Sequence, residues 1–484
     1  MFFRGIVSKE MEVIFMHLPN YQEEKTRDER EFKTYDFSFK EDDQNKYQGK
    51  TYHLKTYGCQ MNEHDSENIK AMLEYLGFSE VSDYQDADLV VLNTCSIREN
   101  AHNKAFGMLG RLKHLKENKK DLLIGLAGCM AQEPVVTERI MNKYPYVNFV
   151  IGTHNLYDLP NIIEKSIIEE QQQIEVYSRE QDLVLDLPYK RESPYKAFVN
   201  IIYGCDKFCT YCIVPYTRGK QRSRPKQDIL NEINLLIKEG YQEVTLLGQN
   251  VNAYGKDLYE DYTLANLLED VAKTKIPRLR FVTSHPWDFT SEMVDIIAKY
   301  NNIMPSIHLP VQSGSSRILR LMGRRYTKES YLELFNEMKE KIPNVTISTD
   351  IIVGFPGETE EDFEETMDLV KTCKFDNAFT FIYSVRKGTP AEKLKDNTPL
   401  EEKEERLQRL NKEVNKYFLE SNQKLLGKLV PVLVEGTSSK KGMLYGYTDT
   451  NKLVNFKGDI SSIGKIISVT IIDAKTWSLD GRQD

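Results

Sequence analysis

Residues 204–212 read Gly-Cys-Asp-Lys-Phe-Cys-Thr-Tyr-Cys, which places Cys205, Cys209 and Cys212 in a C-x3-C-x2-C run. Thiolates in a run of this kind bind zinc or iron–sulfur clusters. Structural zinc normally has four protein ligands, whereas this run offers three, and the nearest histidine is more than 50 residues away. A four-iron cluster held by three cysteines leaves one iron open. The run therefore predicts an iron–sulfur centre at which chemistry can take place.

A series of alternating strands and helices surrounds this run and predicts a barrel. Strands are expected at 197–203, 243–249, 278–284, 304–311, 345–353 and 378–384. Amphipathic helices are expected between them, at 226–239, 263–274, 290–300, 327–341 and 359–372. Six such units fit a partial (β/α)6 barrel, whose active site lies at the carboxyl ends of its strands. The cysteine run directly follows the first strand and so belongs at this end.

A second set of three cysteines lies towards the amino terminus, where Cys59, Cys95 and Cys129 are separated by 36 and then 34 residues. Each follows one of the apolar runs expected as strands at 52–58, 87–94, 122–128 and 147–151, with helices at 62–76 and 98–117 between them. Strands that alternate with helices predict a parallel sheet, and the carboxyl ends of its strands share one edge. The three cysteines are therefore expected to converge. The alternative is that they are buried and pack as small hydrophobic residues.

Composition limits the broad class of the protein. The chain has 484 residues, a net charge of −8 and a pI near 5.7, which excludes a globally basic nucleic-acid-binding protein and leaves room for a local basic patch. No apolar run is long enough to cross a membrane, and the charged first residues do not resemble a signal peptide. We therefore expect a cytoplasmic protein, in which clustered cysteines bind metal more often than they form disulfides.

The domain boundaries follow from the same patterns. We expect a polar, loosely ordered extension, an α/β domain, a linker, the barrel and a small all-β domain. Their limits are 1–50, 51–170, 171–190, 191–422 and 423–484, and a charged helix at about 400–423 leads into the last domain. The fold class is thus α/β, with an open parallel sheet, a central partial barrel and a carboxy-terminal all-β barrel.

The carboxy-terminal domain has short strands at Leu429–Val434, Leu444–Thr448, Leu453–Phe456 and Ile466–Asp473. Between residues 424 and 484 it has nine Lys or Arg against six Asp or Glu, so it is locally basic. Four aromatic residues could stack on bases, namely Tyr445, Tyr447, Phe456 and Trp477. The alternative is an aromatic core beneath a solvated surface.

Together these motifs resemble a known family. The cysteine run resembles that of the radical S-adenosylmethionine superfamily, and the last domain is similar to the RNA-binding TRAM domain. The segments around the other cysteines, at residues 56–62, 93–99 and 128–132, resemble the amino-terminal domain of methylthiotransferases. Gly58-Cys59-Gln60-Met61-Asn62, with Asp65-Ser66-Glu67 after it, is similar to the MiaB-type branch. The resemblance covers roughly residues 50–484.

The resemblance implies two [4Fe-4S] clusters as cofactors, with S-adenosyl-L-methionine used twice per turnover. Cys205, Cys209 and Cys212 would hold the cluster that generates a 5′-deoxyadenosyl radical. Cys59, Cys95 and Cys129 would hold an auxiliary cluster that carries the inserted sulfur. The implied reaction is methylthiolation of C2 of N6-isopentenyladenosine in tRNA, at the adenosine 3′ of the anticodon. Such a base must leave its stack to be reached.

The family pattern also implies weaker site assignments. Residues at the ends of three barrel strands are expected to contact S-adenosylmethionine, with a plain turn role as the alternative: Gln249, Asn250, Gln312, Ser313, Gly314 and Gly354. Four cations beside the cysteine run could steer tRNA phosphates or the cofactor carboxylate, with a solvated basic loop as the alternative: Arg218, Lys220, Arg222 and Arg224. Cys373, His285 and His308 are expected to be structural.

The expected partners are the anticodon loop of a tRNA and an electron donor such as flavodoxin or ferredoxin. No membrane partner is expected, and the protein is expected to be a monomer. Two other functions remain open. One is an RNA-binding scaffold with structural clusters, which the incomplete ligand sets argue against. The other is a methylthiotransferase of the same family that acts on N6-threonylcarbamoyladenosine or on a ribosomal protein.

Overall fold

The computed structural model describes residues 34–97, 99–177, 183–185 and 187–483. These residues form three domains in chain order: a parallel α/β domain, a partial barrel and a small closed β-barrel. The predicted fold class is therefore confirmed. None of the helices described is both long enough and apolar enough to cross a membrane.

Residues 34–50 of the predicted extension are more ordered than their polar composition predicts, and the rest of that extension lies outside the described residues. Strand β1 (Thr34–Asp36) is followed by aromatic residues that pack onto the domain. Phe39 stacks on Tyr75 with ring centroids 3.6 Å apart, and Tyr47 lies 5.1 Å from Phe78. The segment from residue 37 to residue 50 thus adds to the core of the first domain, because its scattered aromatic residues supply apolar surface despite the surrounding charges.

The first domain is a six-stranded parallel sheet in the order β3-β2-β4-β5-β6-β7. Its strands are β2 (Thr51–Tyr57), β3 (Ser79–Glu80), β4 (Leu89–Thr94), β5 (Leu123–Ala127), β6 (Phe149–Ile151) and β7 (Gln173–Glu175). Its helices are α1 (Gln60–Tyr75), α2 (Glu99–Asn118), α3 (Pro134–Lys143) and α4 (Leu159–Ile168). Helices α1 and α4 bury one face of the sheet, and α2 and α3 bury the other. The four predicted strands are confirmed within two residues.

The linker predicted from residue 171 to residue 190 is partly strand. Residues Gln173–Glu175 form β7, which pairs with β6 at the edge of the sheet. Further along, β8 (Leu183–Leu185) pairs in parallel with β1. The glutamine-rich composition around β7 hides that strand, because an edge strand needs backbone hydrogen bonds more than apolar side chains.

The second domain contains the predicted six-stranded barrel. Its strands, with the short hairpin β10/β11, are β9 (Lys196–Asn200), β10 (Ile202–Tyr203), β11 (Arg222–Ser223), β12 (Glu243–Leu247), β13 (Arg278–Phe281), β14 (Ser306–His308), β15 (Thr346–Val353) and β16 (Asn377–Ile382). The parallel sets β9-β12-β13 and β14-β15-β16 meet through a bridge between Leu279 and Ile303. Within the described chain, β9 and β16 do not pair, so the barrel is open.

Helices cover the outside of this barrel and agree closely with the predicted positions. They are α5 (Val214–Thr217), α6 (Lys226–Lys238), α7 (Leu264–Lys273), α8 (Ser291–Lys299), α9 (Ser316–Leu321), α10 (Lys328–Lys341), α11 (Glu360–Cys373) and α12 (Leu400–Gln423). Cys373 lies in the apolar core between helices and strands, as the sequence predicts. The inward face of the strands lines the interior of this open barrel.

The third domain is a closed barrel in the order β17-β18-β19-β21-β20. The strands are β17 (Leu429–Thr437), β18 (Leu444–Thr448), β19 (Leu453–Lys457), β20 (Ile466–Ala474) and β21 (Leu479–Gln483). The sequence predicts the first four. It does not reveal β21, because Leu-Asp-Gly-Arg-Gln lacks the β-branched and aromatic residues that mark strands.

Two buried arginines attach this small barrel to the amino ends of the central strands. Arg278 donates to the carbonyls of Tyr447 and Pro431 at 2.9 and 3.0 Å. Arg280 donates to the carbonyl of Thr448 at 2.8 Å and is paired with Glu243 at 2.9 Å. The third domain therefore lies at the opposite end of the barrel from the cysteine run.

Candidate active site with two cysteine sets

The C-x3-C-x2-C run forms the loop between β10 and α5, at the carboxyl end of the first barrel strand. Its backbone is fixed from both sides, since Cys205 N–H donates to the carbonyl of Gly219 at 3.1 Å and Thr210 N–H donates to that of Met322 at 2.9 Å. Gly204 has a φ of 72°, and a Cβ there would lie 2.1 Å from the Lys220 carbonyl oxygen. Only glycine therefore allows the chain to enter the loop here.

A buried arginine and a buried histidine lie beside the middle cysteine. Arg324 donates from one guanidinium nitrogen towards Cys209 Sγ at 3.4 Å, and the same nitrogen lies 2.7 Å from His285 Nε2. His285 Nε2 is 4.0 Å from Cys209 Sγ. Burial and then the charge of Arg324 lower the pKa of His285 well below its ordinary value, so the imidazole is neutral. The sequence analysis missed Arg324 and assigned His285 only a structural role.

The other two thiols of the run belong to residues that are partly exposed, and both have raised pKa values. Burial, followed by the charges of Cys212 and Cys209, raises the pKa of Cys205. Burial, followed by the charge of Cys209, raises the pKa of Cys212 to about 12. Thiolates in such a place are stable when a cation balances their charge. The donor set therefore fits a positively charged metal centre.

Next to the run, a buried carboxylate holds side chains at the carboxyl end of β12, the second barrel strand. Asp288 is 3% exposed and accepts hydrogen bonds from Lys207 at 2.8 Å, Lys256 at 2.7 Å and Asn250 at 2.6 Å. Gln249 Oε1 accepts from the Gly204 N–H at 2.5 Å. The remaining amide atoms, Gln249 Nε2 and Asn250 Oδ1, are buried with no hydrogen-bond partner among the described residues. Unpaired buried donors and acceptors are costly, so these two atoms fit a polar ligand.

The predicted residues at the fourth and fifth strand ends have different surroundings. Gln312 has a φ of 71° and forms an isolated bridge with Ile351, so its backbone continues the sheet. Ser313 Oγ lies 3.3 Å from Thr366 Oγ1, and Gly314 N–H donates to the same oxygen at 2.9 Å. These contacts give Ser313 and Gly314 a packing role against α11.

Gly354 also has a conformational role. Its φ is 68°, and its N–H donates to Glu358 Oε2 at 2.7 Å. A Cβ at this position would lie 2.5 Å from the Lys403 side chain. Contact with a cofactor remains a prediction for all four residues of these two strand ends.

The second cysteine set lies at one edge of the first sheet, as the sequence predicts. Cys59 precedes α1, Cys95 follows β4, and Cys129 begins the turn after β5. Cys59 and Cys95 are joined by a side-chain hydrogen bond, which lowers the pKa of Cys59 and raises that of Cys95. Burial raises the pKa of Cys129, and the charge of Arg218 opposes this rise. The three cysteines therefore converge as the sequence predicts, and their role as cluster ligands remains a prediction.

Arg218 belongs to the barrel domain but contacts the second cysteine set. Its Nε donates to Cys129 Sγ at 3.0 Å, and its terminal nitrogens donate to both carboxylate oxygens of Asp65 on α1. The guanidinium is buried, with only 6% of the residue exposed. Thr153 Oγ1 also donates to the carbonyl of Thr217 across the same contact, at 2.5 Å. The segment that follows the C-x3-C-x2-C run therefore contacts the second cysteine set across a hydrogen-bonded domain contact.

This arrangement corrects the prediction for the basic run. Arg218, Arg222 and Arg224 are 6%, 9% and 4% exposed, and Arg224 is paired with Glu232 at 2.8 Å. Arg218 joins two domains, and Arg224 is paired within the barrel domain, so these buried side chains are not presented to RNA phosphates. Of the predicted cations, Lys220 is the one that is partly exposed.

The aromatic residues of the third domain are also only partly accessible. Phe456 is fully buried in the barrel core, which removes it from the predicted stacking surface. Trp477 is 66% exposed and lies 5.3 Å from Phe418. Tyr445 and Tyr447 are partly exposed and contact each other edge to face.

A single metal ion does not fit either cysteine set. Over residues 34–97, 99–177, 183–185 and 187–483, no three His, Cys, Asp or Glu side chains are arranged to hold one ion. A four-iron cluster spreads its ligand sulfurs more widely than a tetrahedral zinc ion does. Thiols are the donors that iron–sulfur clusters use, and cluster binding by the two sets remains a prediction.

Comparison with known proteins agrees with this geometry. The chain matches models of three families in order: the uncharacterized protein family UPF0004 at residues 51–152, the radical SAM superfamily at 199–370 and the TRAM domain at 423–483. The fold is similar to that of a radical S-adenosylmethionine methyltransferase, TsrM from Kitasatospora setae, with a TM-score of 0.51 and 13% identity. That match covers 71% of this chain and 77% of the other, and it concerns the fold alone.

Fold and site thus define a radical SAM enzyme with an additional cysteine-bearing domain and a TRAM domain. The chain is 54% identical over 466 residues to a tRNA-2-methylthio-N(6)-dimethylallyladenosine synthase of Staphylococcus epidermidis, with 96% of this chain and 91% of that protein covered. It is 52% identical over 469 residues to the enzyme of the same name from Staphylococcus aureus, with the same coverage. The chain belongs to this family of tRNA-2-methylthio-N(6)-dimethylallyladenosine synthases.

Proposed function

We propose that this protein methylthiolates C2 of N6-dimethylallyladenosine in tRNA, next to the anticodon. The observation that carries the proposal is the contact between the segment after the C-x3-C-x2-C run and the second cysteine set. Arg218, six residues after Cys212, bonds to Cys129 Sγ at 3.0 Å. A reaction that removes hydrogen from a carbon and delivers sulfur to it needs both centres beside one base. The identity to curated relatives along almost the whole chain supports the same activity.

Each cysteine set has a proposed role in this reaction. Cys205, Cys209 and Cys212 would hold one [4Fe-4S] cluster, and Cys59, Cys95 and Cys129 would hold a second. When bound, the clusters and S-adenosyl-L-methionine would supply one-electron cleavage chemistry, the methyl group and the site of sulfur delivery.

The protein's own groups prepare this site. Gln249 and Asn250 present the unpaired amide atoms described above to the polar end of S-adenosylmethionine, and Asp288 holds Asn250 in place at 2.6 Å. Arg324 and Arg218 place buried positive charge beside Cys209 and Cys129, where thiolate charge would otherwise be unbalanced. The withdrawal of these side chains from water would protect a reactive intermediate from side reactions.

The proposal includes partners that follow from the chemistry. The substrate is the anticodon loop of a tRNA, in which an unpaired base is cheaper to unstack than a base within a helix. One-electron chemistry requires a donor, for which flavodoxin or ferredoxin is the proposed class. The proposed form of the protein is a monomer that acts in the cytoplasm, where tRNA is found.

The test is the product itself. Anaerobically reconstituted protein would be incubated with S-adenosylmethionine, a reductant and tRNA that carries N6-dimethylallyladenosine, and the nucleosides would be analysed by mass spectrometry. We expect 2-methylthio-N6-dimethylallyladenosine, and we expect none from Cys209→Ala. Cys373→Ala is the matched control, because Cys373 is a buried cysteine outside both sets. Methylthiolation of N6-threonylcarbamoyladenosine or of a ribosomal protein, without the expected product, would overturn the proposal.

A further inference from the structure

The inward face of the last barrel strand carries two unusually exposed aromatic side chains. On β16, Phe379 is 51% exposed and Phe381 is 45% exposed, whereas Ala378 between helices and sheet is 8% exposed. The other face of β16 is covered by α12, where Thr380 bonds to Asn411 at 2.6 Å. Alternation along a strand puts Phe379 and Phe381 on one face, which is the interior of the open barrel.

The neighbouring strands show the same division into two faces. Ile347 and Ile351 on β15 are fully buried against the helices. Asp350 is the register partner of Phe379, and Ile352 is the partner of Phe381, so these residues share the inward face. The ring of His308 on β14 contacts Phe379 edge to face at 5.9 Å. Together Phe379, Phe381, Asp350, Ile352 and His308 form the inner wall of the barrel.

This inner wall leads to both cysteine sets. At its upper end Ile352 packs with Phe355 and Tyr383, and Phe355 contacts Tyr211 of the C-x3-C-x2-C run at 6.4 Å. Just beyond β16, Arg386 donates to the carbonyl of Ile97 at 2.6 Å, two residues after Cys95.

Exposed apolar side chains continue along the same path. Val385 is 51% exposed and Ile97 is 52% exposed, so apolar side chains are exposed both beyond β16 and on the loop of Cys95. An exposed apolar patch on a rigid scaffold marks a binding site more often than chance exposure does. These apolar side chains lie near one cysteine set at one end and near the other set at the other end. The substrate base is the group that must reach both sets in the proposed reaction.

We propose that Phe379 and Phe381 receive the flipped adenine and its N6-dimethylallyl group, and that Asp350 makes the site selective for an apolar N6 substituent. This inference rests on the proposed function and assigns the residues that recognise its substrate. The flat rings offer a stacking face for the base and apolar surface for the branched hydrocarbon.

The polar groups of the inner wall determine which N6 substituents the site excludes. Asp350 is paired with His308 at 3.4 Å, and the side chains are 28% and 21% exposed. A carboxylate beside the apolar surface repels an anionic N6 group such as threonylcarbamoyl. Arg386, which lies just beyond β16, donates to the carbonyl of Ile97 and to Ser384 Oγ, the latter at 2.9 Å.

The test compares two synthetic anticodon stem-loops that differ only in the N6-dimethylallyl group, bound to the full-length reconstituted protein and followed by fluorescence anisotropy. We expect wild type to prefer the modified RNA by about tenfold or more, from about 0.8 kcal/mol per buried CH₂ group with partial burial. Phe379→Ala/Phe381→Ala should reduce the preference to about twofold or less. It should also weaken binding of the unmodified RNA, though less than binding of the modified RNA, because the adenine loses its stacking face.

Two controls keep this test decisive. Phe379→Leu/Phe381→Leu retains apolar surface and should retain part of the preference, which separates lost contact from misfolding. Leu235→Ala removes an equally exposed apolar side chain, 55% exposed on α6, and should change nothing. Full preference in the double alanine variant, with methylthiolation intact in wild type, would overturn this assignment alone. A wild type that neither prefers nor methylthiolates the modified RNA would overturn the proposed function with it.

A second comparison tests the rejected group. Wild type should bind a stem-loop with N6-threonylcarbamoyladenosine no better than the unmodified RNA, and Asp350→Asn should raise that affinity several-fold. The affinity of this variant for the dimethylallyl RNA should change less than its affinity for the threonylcarbamoyl RNA, because the substitution preserves shape and removes only the negative charge. Unchanged affinity for the threonylcarbamoyl RNA would overturn the electrostatic role of Asp350.

Discussion

Arg218 donates a hydrogen bond from Nε to Cys129 Sγ over 3.0 Å, although the two residues belong to different domains. The same guanidinium holds Asp65, six residues after Cys59, through both terminal nitrogens. It follows Cys212 by only six residues along the chain. One buried cation thus connects the segments that carry the two cysteine sets, and it fixes how the domains face each other.

Replacing Arg218 by Gln should destabilise this contact strongly. Asp65 would become a buried carboxylate without its partner, at an expected cost of about 3 kcal/mol in the free energy of unfolding. Chemical denaturation measures this loss, and hydrogen exchange should show faster exchange in α1 and α5. Lys238→Gln, which removes an exposed cation on α6, is the control. Unchanged stability and exchange would show that the bond does not hold the domains together.

Iron content should separate the two cysteine sets. After anaerobic reconstitution we expect about eight irons per chain, from four per cubane cluster. The triple variant Cys205→Ala/Cys209→Ala/Cys212→Ala should retain about four, and so should the variant of the other set. Cys373→Ala should retain all of them. A fall to no iron in the first triple variant would mean that Cys59, Cys95 and Cys129 hold no cluster of their own.

Gly314→Ala should destabilise the barrel by about 2 kcal/mol, because it forces backbone apart in a close-packed site. The added Cβ would lie 2.4 Å from Thr366 Cα and 2.6 Å from the Glu365 carbonyl oxygen. Gly107→Ala is the matched control, since that Cβ meets nothing within 4 Å on a helix, and it should stabilise the protein by about 0.5–1 kcal/mol. Thermal and urea unfolding measure both changes. Equal effects would contradict the packing role of Gly314.

Glu358 should make stability depend on pH. Burial raises the pKa of this carboxyl group from 4.5 to about 7, against the opposing hydrogen bond from Gly354 and the charge of Arg406. Between these values the folded state holds a proton that the unfolded state has lost. The contribution of Glu358 to stability is therefore full below pH 4.5 and falls as the pH rises through 7.

Glu358→Gln tests this dependence. The variant should gain stability relative to wild type between pH 5 and pH 8, by an amount on the order of 2–3 kcal/mol. Arg406 keeps Glu360 and Glu402 as partners in this variant. Denaturation curves at several pH values would measure the difference, with Glu404→Gln on the exposed face of α12 as control. A difference that does not vary with pH would contradict the raised pKa.

Much of the fold follows from local patterns in the chain. The apolar runs before Cys59, Cys95 and Cys129 predict strands β2, β4 and β5, and the amphipathic helices of the barrel agree within one or two residues. Local patterns do not reveal strands β7 and β21. Their residues are mostly polar, and they form strands by pairing with β6 and β19, which lie far away in sequence. The packing of Phe39 on Tyr75 is hidden for the same reason.

The sequence by itself determined the chemistry of this protein, because ligand type and spacing are local properties: two sets of three cysteines, each at a strand end. The tertiary structure decided which charges meet them. From the sequence Arg218 is predicted to belong to a basic loop, yet in the structure it is buried against Cys129 and Asp65. Phe379 and Phe381 read as strand residues, and only the open side of the barrel exposes them. Burial and pairing depend on distant segments, which local pattern does not contain.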